Sequence, residues 1–555
     1  MDHPKTIEEF NLGRVFETVA EQVPEREFII AGAKRFTYSE SLDRVRRLAS
    51  VFASHGLGVH QERDQLDGHQ SGQDHIALAL YNGSEYLEGM IASYLARCAP
   101  FNVNYRYVGE ELKYLFEDSG VKAIVYHASL APVIAQVLAT MEHPPTLLLQ
   151  VPDDSGEALL DGALDYETAL ADADPAGPGR VGTPDDLYIL YTGGTTGMPK
   201  GVLWRQHDIF MAAMGGRKIG SWEIVESYDA LKNNAINGMA LKVLLLPPLM
   251  HGAAQWASYM MICEGATLIT VSNPRSLDPV DVWKTVEREK VNTFTIVGDA
   301  TMRPLLDELD KNSYDTSSLY AIGNGGAALT ATVRSMIHER LPNVLISDSV
   351  GSSEAGAQMS TNSASDEAVG SFKPGPGTVV VSEEFTAVLE PGHDGNGWLA
   401  QEGWVPLGYL GDEAKSKKTF PVIGDKRYSI PGDRARVGAD GVIELLGRDS
   451  VTINSGGEKI FAEEVEGALV AHPSVIDVIV TGRPSERWGQ EVVAVVKIAP
   501  GAEQDRQGIL DAAAQTIARY KLPKAIVFVD EIRRSPSGKA DYRWAKEVAQ
   551  GDTGS

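Results

Sequence analysis

The sequence predicts an α/β protein in two parts. A large N-terminal domain of layered, mostly parallel sheets with helices spans residues 1–447, and a small α+β C-terminal domain spans 448–555. Three observations carry this reading. The chain has 555 residues and 43% apolar composition, more than one hydrophobic core organises. Short apolar runs alternate with helical periodicity along most of its length, the pattern of helices layered on parallel strands. After Gly447 the units become shorter and fit a compact module of ordinary domain size.

Taken in order, Thr37 followed by Glu40 predicts a capping box opening a helix through LDRVRRLASVFASHG, and HIALALY reads as a buried strand. A helix around YLEGMIASYLARC and a strand in PFNVN complete a strand–helix–strand unit, and the alternation recurs through AIVYHA, TLLLQV, DLYILYT, VWKTVEREK and NTFTIVG. Two stretches read as surface connections: residues 60–75, which hold His60, His69 and His75, and the Asp-, Ala-, Gly- and Pro-rich run 153–186. The three histidines are read as solvated rather than metal-binding. The small module reads as EEVEGALVAH, VIDVIVTG, EVVAVVKIAP, a helix through ILDAAAQTIARY and the strand AIVFVDEI.

Fifty basic against 76 acidic residues give a net charge of −26, which argues against nucleic acid or an anionic membrane as partner. A polyanionic substrate must then be met by local groups. Cys98 and Cys263 are far apart and lack metal-ligand spacing, so a cytoplasmic protein without disulfides is expected. The N-terminal residues have no basic and apolar leader pattern, and the most apolar run is broken by Glu264 and Gly265, so no stable membrane insertion is expected.

The stretch YTGGTTGMPKG at 191–201 follows an apolar strand and packs Gly, Thr and Lys where backbone N–H groups, hydroxyls and an ammonium can meet phosphate oxygens. It lacks the GxxxxGK[ST] spacing, and Lys200 is followed by Gly201, which disfavours a P-loop kinase or GTPase. The stretch resembles the signature of adenylate-forming acyl-CoA synthetases. PPLMHGA (247–253), GNGGAAL (323–329), GSSEAG (351–356), PGDRARV (431–437), GRDSVTINSGGEKI (447–460) and RSPSGKADYR (534–543) follow in that family's order, so the resemblance covers essentially the whole chain.

The resemblance implies an ATP-dependent acid–CoA ligase with ATP, Mg²⁺ and coenzyme A, acting on a small-molecule carboxylic acid. It also implies a small β subdomain within the large domain and a mobile C-terminal domain. Thr192, Gly193, Gly194, Thr195, Thr196, Gly197 and Lys200 would bind ATP, together with Gly325, Ser349, Val350, Gly351, Ser353, Asp433, Arg448 and Lys539. Thr192, Glu354 and Lys539 would be catalytic, with Glu354 the Mg²⁺ ligand and Asp433 the acceptor from the ribose hydroxyls. His251, Gly252, Asp299, Gly325, Gly326 and Ala327 would line the acyl site, and Gly456, Gly457 and Lys459 the path of coenzyme A.

Two positions depart from the family pattern. The hinge residue is either Asp449 or Ser450, and Val350 stands where many members place an aromatic residue against adenine. Small residues around the acyl segments favour an apolar acid. VLWR, ISDSVGSSE, YSIPGD, VTINSGGEK, SPSGKADYRWAKE and the insertion 222–242 resemble the branch acting on steroid side-chain carboxylates in actinobacteria, with a long or branched fatty acid left open. A stand-alone enzyme loading a carrier protein, a non-catalytic nucleotide sensor and a homodimer are also left open.

Overall fold

The computed structural model describes residues 7–107, 109–192, 198–327, 329–363, 371–448, 451–455, 458–485, 488–534 and 539–551. Its N-terminal part is organised by two stacks of parallel strands. One sheet runs Ala99–Asn102, His75–Ala79, Ala123–His127, Leu147–Val151 and Leu164–Asp165, all parallel. The other has a parallel centre formed by Glu27–Ala31, Thr267–Thr270, Lys242–Leu244, Thr293–Ile296, Ala321–Gly325 and Leu345–Ser352. Both faces of such strands are covered, which explains the continuous apolar runs in the sequence.

The capping box is present. Thr37 accepts from the Glu40 N–H, Glu40 reaches back to the Thr37 N–H, and Tyr38–Ser54 begins there. The apolar run 256–271 becomes the helix Gly252–Cys263 and the strand Thr267–Thr270, with Gly265 turning between them. Among the described residues no helix is long and apolar enough to cross a membrane.

Beyond Leu345–Ser352 the sheet becomes antiparallel. Gly356–Ser363, Ser371–Pro374, Ile443–Arg448, Asp433–Val437 and Gly397–Glu402 continue it as the β subdomain. The C-terminal part forms its own sheet around the long hairpin Val475–Ser485 and Gly489–Ile498, packed by Ala462–Val470, Arg506–Ala513 and Tyr542–Gly551. This is a mixed α/β molecule with a large N-terminal and a small C-terminal body.

Four local expectations change. Leu187–Thr192 is not a parallel strand. It pairs antiparallel with Lys200–Arg205, and Gly408–Tyr409 completes a three-stranded sheet. The run 153–186 is more than surface, because its helix Tyr166–Asp172 sinks Tyr166 and Leu170 into the core. Segment 60–75 is docked: the Gly411 N–H donates to the His69 carbonyl, and His60 bonds Asp74 at 2.6 Å. Finally, the helix over ILDAAAQTIARY stops at Ala513 and gives way to a short 3₁₀ turn at Arg519–Lys521.

Candidate active site

The strands Leu187–Thr192 and Lys200–Arg205, on either side of the glycine-rich stretch in sequence, pair antiparallel. Thr192 and Lys200 are register partners, while Gly193, Gly194, Thr195, Thr196 and Gly197 lie outside the described residues. Lys200 faces Asp412 at 3.5 Å. Burial opposes its charge, but Tyr114, Asp118 and Asp412 outweigh that and raise its titration above the ordinary lysine range. The ammonium therefore stays charged beside Asp412.

Two asparagines that the sequence does not distinguish tie the site together. Asn102 accepts from the Tyr191 N–H at 2.8 Å and donates to the carbonyls of Tyr191 and Met250 at 2.9 and 2.8 Å. It thereby joins the first parallel sheet, the glycine-loop strand and the PPLMHGA turn. Asn82 clamps the same turn by donating to Leu245 and Pro247 and accepting from the Leu249 N–H. A lone Asn at a strand end carries no local mark of such a role. Because Asn102→Ala would strand three buried backbone groups, a loss of about 2–4 kcal/mol is expected, read by denaturant unfolding. Wild-type stability in that variant would contradict the assignment.

His251 ends the turn at the N-cap position of the helix Gly252–Cys263, with no side-chain bond to the helix N-terminus. Its Nε2 is buried with no hydrogen-bond partner. Burial first, then the charges of Lys539 and Arg106, hold its imidazole down to about 4. That coupling shows Lys539 within electrostatic range of His251. It also has a thermodynamic consequence. The unfolded chain takes up a proton near pH 6.5 that the folded site refuses until about 4, so the contribution of neutral His251 is present above 6.5 and is lost as pH falls toward 4. His251→Gln is expected to remove up to about 3 kcal/mol of acid destabilisation across that window. Parallel stability–pH curves for variant and wild type would refute this.

The turn between Leu345–Ser352 and Gly356–Ser363 carries Glu354, with no helix there. It is pinned from three sides: Tyr409 donates to Glu354 Oε1 at 2.9 Å, Ser429 donates to the Glu354 carbonyl, and the Trp204 indole donates to the Ser353 carbonyl at 2.9 Å. Burial, reinforced by Glu354, holds the Tyr409 phenol protonated far above its usual range, so it remains a donor. Gly351 has no alternative here, since a Cβ would sit 2.3 Å from the Gly356 carbonyl oxygen. Among the described residues no group of three or more His, Cys, Asp and Glu side chains could hold a metal. One oriented carboxylate nevertheless suits Mg²⁺, which keeps waters and phosphate oxygens as its other ligands.

Neighbouring strand ends bring further candidates together. Gly325 and Ser349 are register partners, and Gly326 turns with φ +80°. Asn324 donates to Asp348 and to the Ala327 carbonyl and accepts from the Gly298 N–H. Val350 packs against the β-subdomain cluster that includes Met359. Asp299 has both oxygens engaged, accepting from the Thr330 N–H and hydroxyl and from Arg303, so its carboxylate is committed to the start of the helix Ala331–Arg340.

Asp433 follows Gly432, whose φ of +109° makes the turn, and is the register partner of Arg448. Next to it, buried Arg434 pairs with Glu383 and lies 4.3 Å from the Trp398 ring centroid, fixing the strand from behind. Asp449, Ser450, Gly456 and Gly457 lie outside the described residues, and Lys459 is placed by its backbone in the strand Glu458–Ile460.

Alongside the hairpin that ends at Thr192 and Lys200, the pinned Glu354 turn and the electrostatic effect of Lys539 on His251, the sequence match settles the class: the chain belongs to the AMP-binding enzyme family. That family matches residues 16–410, and the AMP-binding enzyme C-terminal domain matches 464–539. Among similar proteins, the medium-chain acyl-CoA ligase Mig of Mycobacterium avium is 54% identical over 98% of this chain and 99% of its own length. The 3-oxocholest-4-en-26-oate–CoA ligase of Rhodococcus rhodochrous is 38% identical over 97% of this chain and 95% of its own. ATP-bound MatB from Rhodopseudomonas palustris shares the fold, with TM-score 0.78 and 23% identity over 97% of this chain and 99% of that one.

Proposed function

We propose that this protein is an AMP-forming acid–CoA ligase for an apolar carboxylic acid. The carboxylate oxygen attacks the α-phosphorus of ATP and pyrophosphate leaves, giving the acyl-adenylate. The coenzyme A thiol then attacks the acyl carbon, and AMP departs with the oxygen the acid contributed. The observation that carries this reading is the Glu354 carboxylate held by Tyr409 at 2.9 Å in a turn that Ser429 and Trp204 fix, and Lys539 within electrostatic range of His251 supports it.

In this reading Lys539 neutralises charge as the new oxygen–phosphorus bond forms. Thr192 and Lys200 flank the phosphate-binding loop, Asp433 accepts from the ribose hydroxyls, and Arg448 serves the nucleotide from the paired strand. Glu354 would hold Mg²⁺, which when bound withdraws charge from the phosphate oxygens. Neutral His251, Gly252, Gly325, Gly326 and Ala327 border the acyl group. The domains divide at 447/448, and the small one turns about Asp449 or Ser450 to bring Gly456, Gly457 and Lys459 to coenzyme A. A cytoplasmic setting fits these soluble substrates.

Support for an apolar acid comes from the small residues at the site and from relatives named for medium-chain and steroid acids. The test is a panel of medium-chain, long-chain, aromatic and steroid acids, each with ATP, Mg²⁺ and either coenzyme A or a phosphopantetheinylated carrier protein. Pyrophosphate release and acyl-CoA formation with an apolar acid are expected. ADP and orthophosphate as products would overturn the reaction, and acylation of the carrier alone would overturn the acceptor.

A further inference from the structure

The described residues on either side of the segment that carries Lys539 form a neck held from several directions. Arg534 and Ala540 form an isolated antiparallel bridge, and the Asp541 N–H donates to the Arg533 carbonyl. On the entering side, Arg534 Nε donates to Asp477 on the strand Val475–Ser485 at 2.9 Å. On the leaving side, Tyr542 opens the last helix and donates its hydroxyl to Glu466 Oε2 at 3.3 Å. Glu466 Oε1 accepts from the Val480 N–H at 2.8 Å. One carboxyl group on the helix Ala462–Val470 thus links the central hairpin of the small domain to the segment leaving the loop. Ala540 and Tyr542 also pack on the cluster of Ile479, Val495, Ile532 and Ala545, so the neck rests on both apolar and polar supports.

Part of the Glu466 residue stays accessible, but its carboxyl is enclosed. The groups facing it are Glu463 on its own helix, the Val480 N–H, Arg534 at the neck and Tyr542 on the last helix. Glu463 in turn lies beside Gly447 at the end of the large domain's last strand, so the same helix touches the junction between the two bodies. Burial, then the like charge of Glu463, outweighs Val480, Arg534 and Tyr542 and pushes the Glu466 carboxyl up to about 8. It is therefore neutral at pH 7, and charging it puts two carboxylates side by side under the loop.

We propose that Glu466, acting with Tyr542 and the Arg534–Asp477 pair, is a positioning residue that clamps the neck of the Lys539 loop in the geometry adenylation needs. It touches no substrate and acts only through Lys539. The inference rests on the role proposed above for Lys539. Since the role proposed for Lys539 lies in adenylation alone, loosening the clamp should slow the first half-reaction and spare the second.

The experiment uses the full-length protein with dodecanoate as probe. ATP–pyrophosphate exchange reports adenylation, and conversion of synthetic dodecanoyl-AMP to the CoA thioester reports the second step. Glu466→Ala is expected to lower exchange kcat about 30-fold with little change in KM for ATP, because displacing a charged group by an ångström costs on the order of a hundredfold, while the thioester step stays within about twofold. Tyr542→Phe removes a single hydroxyl and should show the same split at smaller amplitude, which keeps the test available if Glu466→Ala does not fold. Glu466→Gln keeps a neutral group of the same shape. It should retain exchange at pH 7 and lack the decline expected of wild type as pH rises through about 8.

Equal losses in both half-reactions, no loss in either, or a Glu466→Gln variant that keeps the wild-type alkaline decline would overturn the clamp. Lys539→Ala run alongside separates the two levels. If it is inactive in exchange while Glu466→Ala and Tyr542→Phe exchange at the wild-type rate, the clamp alone fails; if it exchanges normally, the role of Lys539 fails and takes the clamp with it.

Discussion

Lys539→Ala is expected to lower acyl-adenylate formation about 100- to 1,000-fold, the range seen when one pre-placed donor to developing charge is removed. The charge of Lys539 is felt at His251, as is that of Arg106, and in the proposed reaction it is the lysine that meets the developing charge. The loss should fall on kcat for pyrophosphate exchange, since the lysine meets charge that grows along the reaction rather than the ground-state acid. Synthetic acyl-adenylate plus coenzyme A should still be converted at close to the wild-type rate. Lys539→Arg keeps the charge on a longer, planar group and should recover only part of the activity. Full exchange activity in Lys539→Ala would remove this residue from the chemistry.

Glu354→Gln is expected to cost about 100-fold in adenylation and to raise the Mg²⁺ concentration needed for half-maximal rate, because a neutral amide is a poor ligand for a hard cation. The substitution preserves shape, so the Tyr409 hydroxyl keeps an acceptor and the turn keeps its Ser429 and Trp204 bonds. Unfolding should therefore change little, which separates loss of metal binding from collapse of the turn. Titration of activity against Mg²⁺ in both proteins reads the effect. Identical Mg²⁺ dependence with reduced activity would assign Glu354 to holding the turn instead.

What the sequence made legible was local or repetitive. The Thr37–Glu40 box, the buried runs such as His75–Ala79 and the Gly265 break are set by neighbours a few residues away, and they appear where expected. The ordered motifs located Glu354 in a turn between strands and Asp433 beside Gly432. What the sequence hid depends on partners far along the chain. The antiparallel pairing of Leu187–Thr192 follows an apolar run that looks the same in either kind of sheet. Tyr166 sits in a polar, glycine-rich stretch whose helix is recruited to the core by tertiary packing. Asn82 and Asn102 gain their roles from carbonyls about 90 to 170 positions away, and Glu466 has no local mark that sets it apart from Glu463 and Glu464.

The most direct measurement of the central claim is isotopic. An apolar acid carrying ¹⁸O in its carboxyl group is turned over with ATP, Mg²⁺ and coenzyme A, and each product is weighed by mass spectrometry. If the carboxylate oxygen attacks the α-phosphorus, one ¹⁸O atom per turnover appears in AMP and none in pyrophosphate. Label in orthophosphate, or AMP free of label, would contradict activation through an acyl-adenylate.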